Sequence, residues 1–259
     1  MSQGKGNWTR DESILAFSLY CRTPYGKINK TNPGIVELAS IIGRTPSSVG
    51  MKMGNFGRFD PELQRRNVTG LPNGSKMDEV VWNEFYQNGE SLAVEAARIM
   101  ADYTGKPIAE QVDLSDLPLI PDGDEKERIV KARLNQRFFR EALMSSYHSS
   151  CCITGISVPD LLVASYIKPW RASDPKTERN SLSNGLLLNA LHGKAFERGY
   201  ISISTTFDIL ASSKLSEYVS SNECNNWIAA FAGKRISLPE KFVPNRQFIE
   251  YHNDAVFLK

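Results

Sequence analysis

Apolar residues recur at helical spacing in the first part of the chain. Residues 8–22 begin with Thr9 as a candidate N-cap, carry acidic residues in the first turn and continue with apolar positions on one side of a helix. Residues 34–42 and 46–56 repeat this spacing on either side of Gly43, which is typical of a tight turn. The pattern therefore predicts one helix followed by a helix-turn-helix pair.

The helical pattern continues and then stops before the middle of the chain. Residues 76–103 predict one or two more helices, whereas residues 104–124 combine Pro, Gly and acidic residues without periodicity, as linkers do. We therefore predict a helical domain over residues 1–105, a linker over residues 106–123 and a second domain over residues 124–259.

The second half mixes helix and strand signals. A strong helix is predicted over Asp124–Tyr147, and Leu161–Ile167 has the β-favouring apolar character of a strand. With the short run at residues 151–155 this implies two strands joined by a turn. Residues 186–199 then show a four-residue repeat, which predicts a helix ending at a glycine, and residues 200–204 predict a further short strand. The order strand, strand, helix after a helical domain predicts an α+β fold.

The overall charge and the apolar pattern give no indication that the protein binds a polyanion or a membrane. The 259 residues include 31 basic and 29 acidic side chains, for a net charge of +2, and 41% are apolar. No run approaches the roughly 18 apolar residues that a membrane helix needs, and the first residues lack the apolar stretch of a signal peptide. We therefore expect a cytoplasmic protein that does not bind membranes.

Cysteine and histidine content limits the metal chemistry. The four cysteines, Cys21, Cys151, Cys152 and Cys224, are not spaced like zinc ligands, so no structural zinc is expected. Only three histidines are present. Any metal site must therefore rely on oxygen ligands, which favours a hard cation such as Mg²⁺.

Positive charge is concentrated in two segments. Residues 27–66 carry seven basic and three acidic side chains, and the second helix of the predicted pair has a small polar face. Such a face suits a phosphate backbone or base edges, although a solvated helical hairpin explains it equally well. The candidate DNA contacts here are Arg44, Ser47, Ser48 and Lys52.

A second basic segment lies on the helix predicted for the middle of the chain. Residues 126–140 carry six basic side chains and only one acidic side chain. Arg133, Arg137 and Arg140 fall on one stripe of that helix. This stripe is either a solvated surface or a contact for a polyanion such as DNA, because unopposed positive charges repel one another without a partner.

Several motifs occur in a fixed order along the chain. They are the upstream IGRTPSSVGMKMGNF (42–56), FFREALMSSYHSSCCITG (138–155), LLVASYIKPW (161–170), NGLLLNALHGKAFERG (184–199) and FIEYHNDAVF (248–257). In this order they resemble the HNH endonuclease family, and more narrowly bacterial proteins assigned as restriction endonucleases, whose amino-terminal region the upstream motif resembles. The resemblance is most specific over residues 151–199, where several motifs follow one another.

The resemblance implies a ββα-metal domain that hydrolyses DNA phosphodiesters with one divalent cation, Mg²⁺ or Mn²⁺. Tyr166 occupies the position of the general base, which is usually His, and Asn184 matches the residue that braces the loop between strand and helix. His192 matches the last His of the motif and is implied as a metal ligand, with Glu197 as a second ligand. Gly193 stands where relatives usually carry an acidic residue.

The tyrosine leaves two alternatives open. A phenol has a pKa of about 10, so an unperturbed Tyr166 is a poor base at neutral pH. A bound cation or the neighbouring Lys168 and Arg171 would have to lower this pKa for an active nuclease. The alternative is a catalytically impaired DNA-binding or regulatory protein that retains the fold.

The resemblance also implies the substrate and its contacts. Lys168 and Arg198 are candidates for phosphate contacts on double-stranded DNA, and Trp170 is expected in the core. A homodimer is expected, since two strands must be cut.

Overall fold

A computed structural model of the chain divides into two compact units, Met1–Ala142 and Leu143–Lys259. Every helix in the described part of the chain is too short or too polar to cross a bilayer. The structure describes residues 6–68, 74–115, 122–174, 177–179, 181–218 and 227–259.

The first unit is helical, as predicted. Its first helix carries a capping box, in which the Thr9 hydroxyl accepts from the Glu12 amide and the Glu12 carboxylate accepts from the Thr9 amide. The helices are α1 (Arg10–Cys21), α2 (Pro33–Ile42), α3 (Pro46–Phe56), α4 (Pro61–Arg65), α5 (Lys76–Phe85), α6 (Gly89–Thr104) and α7 (Gly123–Ser146), of which α7 continues into the second unit.

An aromatic cluster centred on α1 forms the core of this unit. The Phe17 ring centroid lies 4.8 Å from that of Phe56 and 5.4 Å from that of Trp82, which joins α1 to α3 and α5. Tyr20 is fully buried beside them and donates its hydroxyl hydrogen to Asp60 at 2.7 Å. Burial of these large rings is the main stabilisation of the helical unit.

The predicted helix-turn-helix pair is confirmed. Gly43 ends α2 in the left-handed conformation with a φ of 68°. The Thr45 hydroxyl then caps α3 by accepting from the Ser48 amide at 3.2 Å. Glycine tolerates this φ without steric cost, which explains why the turn falls at residue 43.

The predicted linker is partly packed against helices. Its described residues reach to 115, while residues 116–121 lie outside the described part of the chain. The compact units divide within α7, later than the limits inferred from the sequence, so those limits stay a prediction. The apolar residues Ile108, Ala109, Val112 and Leu114 pack on Ala97, Val130 and Leu134.

The second unit contains two small antiparallel sheets and short helices, so the α+β class is confirmed. In the first sheet, Leu162 pairs with Asn189 and Tyr166 pairs with Gly185. The helix that follows is packed on this hairpin. The elements are β1 (Leu162–Tyr166), β2 (Gly185–Asn189), α8 (Ala190–Glu197), β3 (Ile201–Ile203), β4 (Ile209–Ala211) and α9 (Arg246–Ala255).

The sequence places one strand incorrectly. Residues 186–189 belong to β2, not to the predicted helix, and residues 151–155 form a turn instead of a strand. All five residues of β2 are buried, so its side chains are apolar on both faces. Such a run has neither helical nor alternating periodicity, so its sequence pattern cannot distinguish a strand from a helix.

The C-terminal segment holds the end of α8. The Leu258 amide donates to the Gly199 carbonyl at 2.9 Å, and His252 Nε2 lies 3.1 Å from the Phe196 carbonyl oxygen. Burial lowers the pKa of His252 to about 4, against a smaller opposing effect of the Phe196 hydrogen bond. The imidazole is therefore neutral at pH 7 and serves as a structural group.

Gly199→Ala should destabilise the second unit by at least about 2 kcal/mol. The φ of Gly199 is +75°, and a Cβ there would lie 2.1 Å from the Val256 carbonyl oxygen. Gly155→Ala is the matched control, since its φ is +74° with no heavy atom within 4 Å of the Cβ position, and it should cost about 1 kcal/mol. Equal losses in urea unfolding followed by circular dichroism would contradict this contact.

Candidate functional site

The helix α8 approaches β1 closely at Gly193. A Cβ at this position would lie 2.3 Å from Val163 Cγ2 and 3.2 Å from Ser165 Oγ. Val163 and Ser165 therefore face α8, and Leu188 on β2 borders the same contact. The position where relatives usually carry an acidic residue is closed to any side chain unless Val163 moves.

His192 is buried in the first turn of α8. Its amide donates to the Asn189 side-chain oxygen at 3.0 Å, which caps the helix, and its Nδ1 lies 3.1 Å from the same oxygen. The ring meets Phe231 edge-on at 5.3 Å between centroids. Burial lowers the pKa of His192, while the backbone of Trp227 opposes part of this shift.

One nitrogen of His192 lacks a partner. Within the described residues, the buried Nε2 has no hydrogen-bond acceptor or donor of good geometry. Glu197, the second predicted ligand, is not beside it. The Glu197 side chain is 64% exposed and pairs with Lys194 at 2.9 Å.

The predicted metal site is therefore not assembled by these residues. A buried imidazole nitrogen without a neighbouring carboxylate is a poor partner for Mg²⁺, which prefers oxygen ligands. Among the residues that the structure describes, no group of three or more His, Cys, Asp and Glu side chains could hold a metal ion. The predicted ligand pair of His192 and Glu197 does not fit the cation.

Tyr166 lies away from α8. It pairs with Gly185 at one end of the hairpin, whereas Asn189 and the first turn of α8 lie at the other end. Because successive side chains of a strand alternate between faces, Tyr166 leaves β1 on the face opposite to Ser165. The register of the hairpin therefore does not favour a site shared by Tyr166 and His192, and the role of Tyr166 stays a prediction.

Asn184 joins the two strands through the backbone. Its side chain accepts from the Lys168 amide at 2.7 Å and donates to the Lys168 carbonyl at 3.0 Å. The Ile167 amide also donates to the Asn184 carbonyl at 3.0 Å. This fully buried side chain braces the loop that follows β1, and a catalytic role for it stays a prediction.

The two phosphate contacts predicted near the hairpin differ in their availability. The Lys168 ammonium lies 2.5 Å from Glu178, whose pKa is lowered by this hydrogen bond, and 4.8 Å from the Tyr251 ring centroid. Lys168 is thus already neutralised, which weakens the prediction that it contacts phosphate. Arg198 is exposed at the end of α8 and has no ion-pair partner among the described residues.

The basic stripe on α7 is partly neutralised by its neighbours. Arg137 donates to Glu141 and to the Gln111 carbonyl, both at 2.7 Å. Arg133 and Arg140 also have interaction partners. The charge of Arg137 is therefore opposed within the chain, and DNA contact by this stripe stays a prediction.

Two of the DNA contacts predicted in the first unit are disfavoured by their burial in ion pairs, and they stay predictions. The side chain of Arg44 is 6% exposed and pairs with buried Glu12 at 2.7 Å. The side chain of Lys52 is 3% exposed and forms an ion pair with buried Asp78. Neither cation is available to a phosphate, whereas Ser47 is exposed and Ser48 is half-buried on α3.

The sequence also misplaced Trp170 and passed over Arg179. Trp170 was expected in the core, yet it is 47% exposed. The Arg179 guanidinium carbon lies 4.0 Å from its ring centroid. These residues are nine positions apart in a loop without periodicity, so no sequence pattern could have paired them.

A hairpin followed directly by a helix packed on one face is the ββα arrangement of nuclease-type domains. Residues 151–204, about a fifth of the chain, match the model of the HNH endonuclease family, and this segment contains β1, β2, α8 and β3. A comparison with curated proteins finds no match. Residues 151–204 therefore belong to the HNH endonuclease family, which confirms the resemblance.

Asn184→Ala should destabilise the second unit by about 2 kcal/mol, because it leaves both backbone groups of Lys168 without these partners. Urea unfolding measures the change, with Lys214→Ala as an exposed control expected to cost less than about 0.5 kcal/mol. An Asn184→Ala variant as stable as the control would contradict the bracing role.

Lys52→Met should destabilise the first unit by about 3 kcal/mol, since it leaves Asp78 buried without its counter-charge. The double variant Lys52→Met, Asp78→Asn removes both charges and should recover at least half of this loss in urea unfolding. If Lys52→Met instead unfolds like the wild type and weakens DNA binding, Lys52 is a DNA contact after all.

Proposed function

We propose that this chain binds double-stranded DNA and that its HNH-type domain does not hydrolyse the bound DNA by metal catalysis. The observation that carries the proposal is the contact at Gly193, where Val163 fills the space an acidic side chain would need. Without that acid, the described residues offer no second ligand beside His192 from the family motif, because Glu197 pairs with Lys194 at the surface. Phosphodiester hydrolysis by one metal ion needs that ion fixed beside the scissile phosphate.

DNA as the partner is supported by the family match, since the HNH segment is of a nuclease type. The protein carries exposed cationic and hydroxyl groups in both units, including Ser47 and Arg198. Binding through such groups depends mainly on phosphate charge, so it should weaken steeply as the salt concentration rises.

A second candidate function is metal-dependent DNA cleavage, and one observation favours it. Among the residues that the structure describes, the buried Nε2 of His192 has no hydrogen-bond partner, and His192 stands at the position of the last His in the family motif. Burial lowers the pKa of His192, so the imidazole is neutral at pH 7, which is the form that binds metals. Cleavage would still require a base, and an unperturbed phenol, with a pKa of about 10, is a poor base at neutral pH.

Plasmid cleavage and DNA binding, measured on the same protein sample, separate the two candidates. We expect a gel shift with duplex DNA and no nicking with Mg²⁺ or Mn²⁺ at any pH from 6 to 10. Tyr166→His should remain silent as well, because it leaves position 193 closed.

Metal-dependent nicking that disappears in His192→Ala would contradict the proposal and establish the second candidate. His148→Ala is the matched control, since its side chain is 63% exposed and lies outside the site. Nicking that is lost in His192→Ala and kept in His148→Ala cannot come from a contaminating nuclease, because neither substitution would affect such an enzyme. Failure of the chain to shift duplex DNA would exclude both functions.

A further inference from the structure

Arg179 is held in one orientation by three contacts. Its Nε donates to the carbonyls of Trp170 and Ser173, both at 3.0 Å. Its guanidinium carbon lies 4.0 Å from the centroid of the Trp170 ring. Because Nε is bonded and the plane rests against an indole, the positions of the two η nitrogens are set by the loop itself.

Within the described residues, no hydrogen bond or ion pair of the two η nitrogens is present, since the bonds of the Arg179 side chain are those of Nε. The Arg179 residue is half-buried. Trp170 is 47% exposed, which places the stacked pair at the surface of the second unit. The result is an oriented pair of donors at the surface.

The charge of Arg179 is also not neutralised. Its bonded partners are carbonyl oxygens, whereas the neighbouring Glu178 pairs with Lys168 at 2.5 Å. By contrast, the predicted contact Arg137 is paired with Glu141 at 2.7 Å. Arg179 thus combines a fixed geometry with a full positive charge, which Arg137 lacks.

We propose that Arg179 binds a DNA phosphate through its two η nitrogens and that Trp170 is its positioning residue. The proposal rests on the proposed function, since it requires that the second unit binds DNA. A guanidinium donates two parallel hydrogen bonds to the non-bridging oxygens of one phosphate, and a preoriented fork loses little side-chain entropy on binding. The ligand is the phosphodiester itself, so the contact should be independent of base sequence.

Salt titration of DNA binding tests this contact. Removing one phosphate contact should lower the slope of log affinity against log salt concentration by about one. For Arg179→Ala we expect this change, with an affinity roughly tenfold lower at 0.1 M salt and an unchanged thermal unfolding midpoint. Arg246→Ala is the control, because it removes the same charge from an exposed residue at the start of α9 and should leave the slope nearly unchanged.

Two further variants separate orientation from charge. Arg179→Lys keeps the positive charge but loses the paired η nitrogens. It should retain most of the slope of log affinity against log salt concentration, with an affinity roughly threefold to fivefold lower. Trp170→Ala should lower affinity by a similar factor with the slope retained, while Trp170→Phe, which keeps an aromatic face, should recover most of the loss.

The outcomes distinguish this proposal from the proposed function. If the wild type binds duplex DNA and Arg179→Ala leaves affinity and slope unchanged, the Arg179 contact is overturned and DNA binding stands. An effect seen with guanine-containing duplexes but absent with an alternating A·T duplex would overturn the phosphate assignment in favour of a base contact. No binding by the wild type would overturn both.

Discussion

The contact between Gly193 and Val163 holds the helix α8 against β1 in the HNH segment. The helix α8 lies so close to β1 that a Cβ at residue 193 would overlap Val163 Cγ2 at 2.3 Å. This packing stabilises the hairpin and helix as one unit, yet it removes the space in which an acidic ligand would project. The ββα frame is retained, while the predicted second ligand Glu197 pairs with Lys194 at the surface.

The groups around this contact now serve structural roles. Asn184 uses both ends of its amide on the Lys168 backbone, and Asn189 caps the helix that carries His192. Buried polar groups that are fully paired in this way fix a single arrangement of the loop and the helix. A rigid frame of this kind suits a domain that presents a fixed surface to DNA.

Local signals in the sequence predicted much of the fold. Thr9 and Thr45 mark helix starts, and Gly43 marks the turn, because each acts on residues within one helical turn. The second strand was missed since its apolar residues are buried on both faces and carry no period.

The candidate site was harder to predict because pairing over long distances decides which charges are available. Lys52 and Arg44 have typical features of DNA contacts in the sequence, but their carboxylate partners lie 26 and 32 residues away. The orientation of Tyr166 depends on the register of the hairpin, and the exposure of Trp170 depends on a loop without periodicity.

Calorimetric titration with Mn²⁺, in the absence of DNA, tests most directly whether His192 is part of a metal site. We expect the wild type and His192→Ala to give the same titration curve. Neither protein should bind Mn²⁺ at His192 with a dissociation constant below the millimolar range. Binding of one Mn²⁺ per chain that is lost in His192→Ala and retained in His148→Ala would contradict a closed site at Gly193.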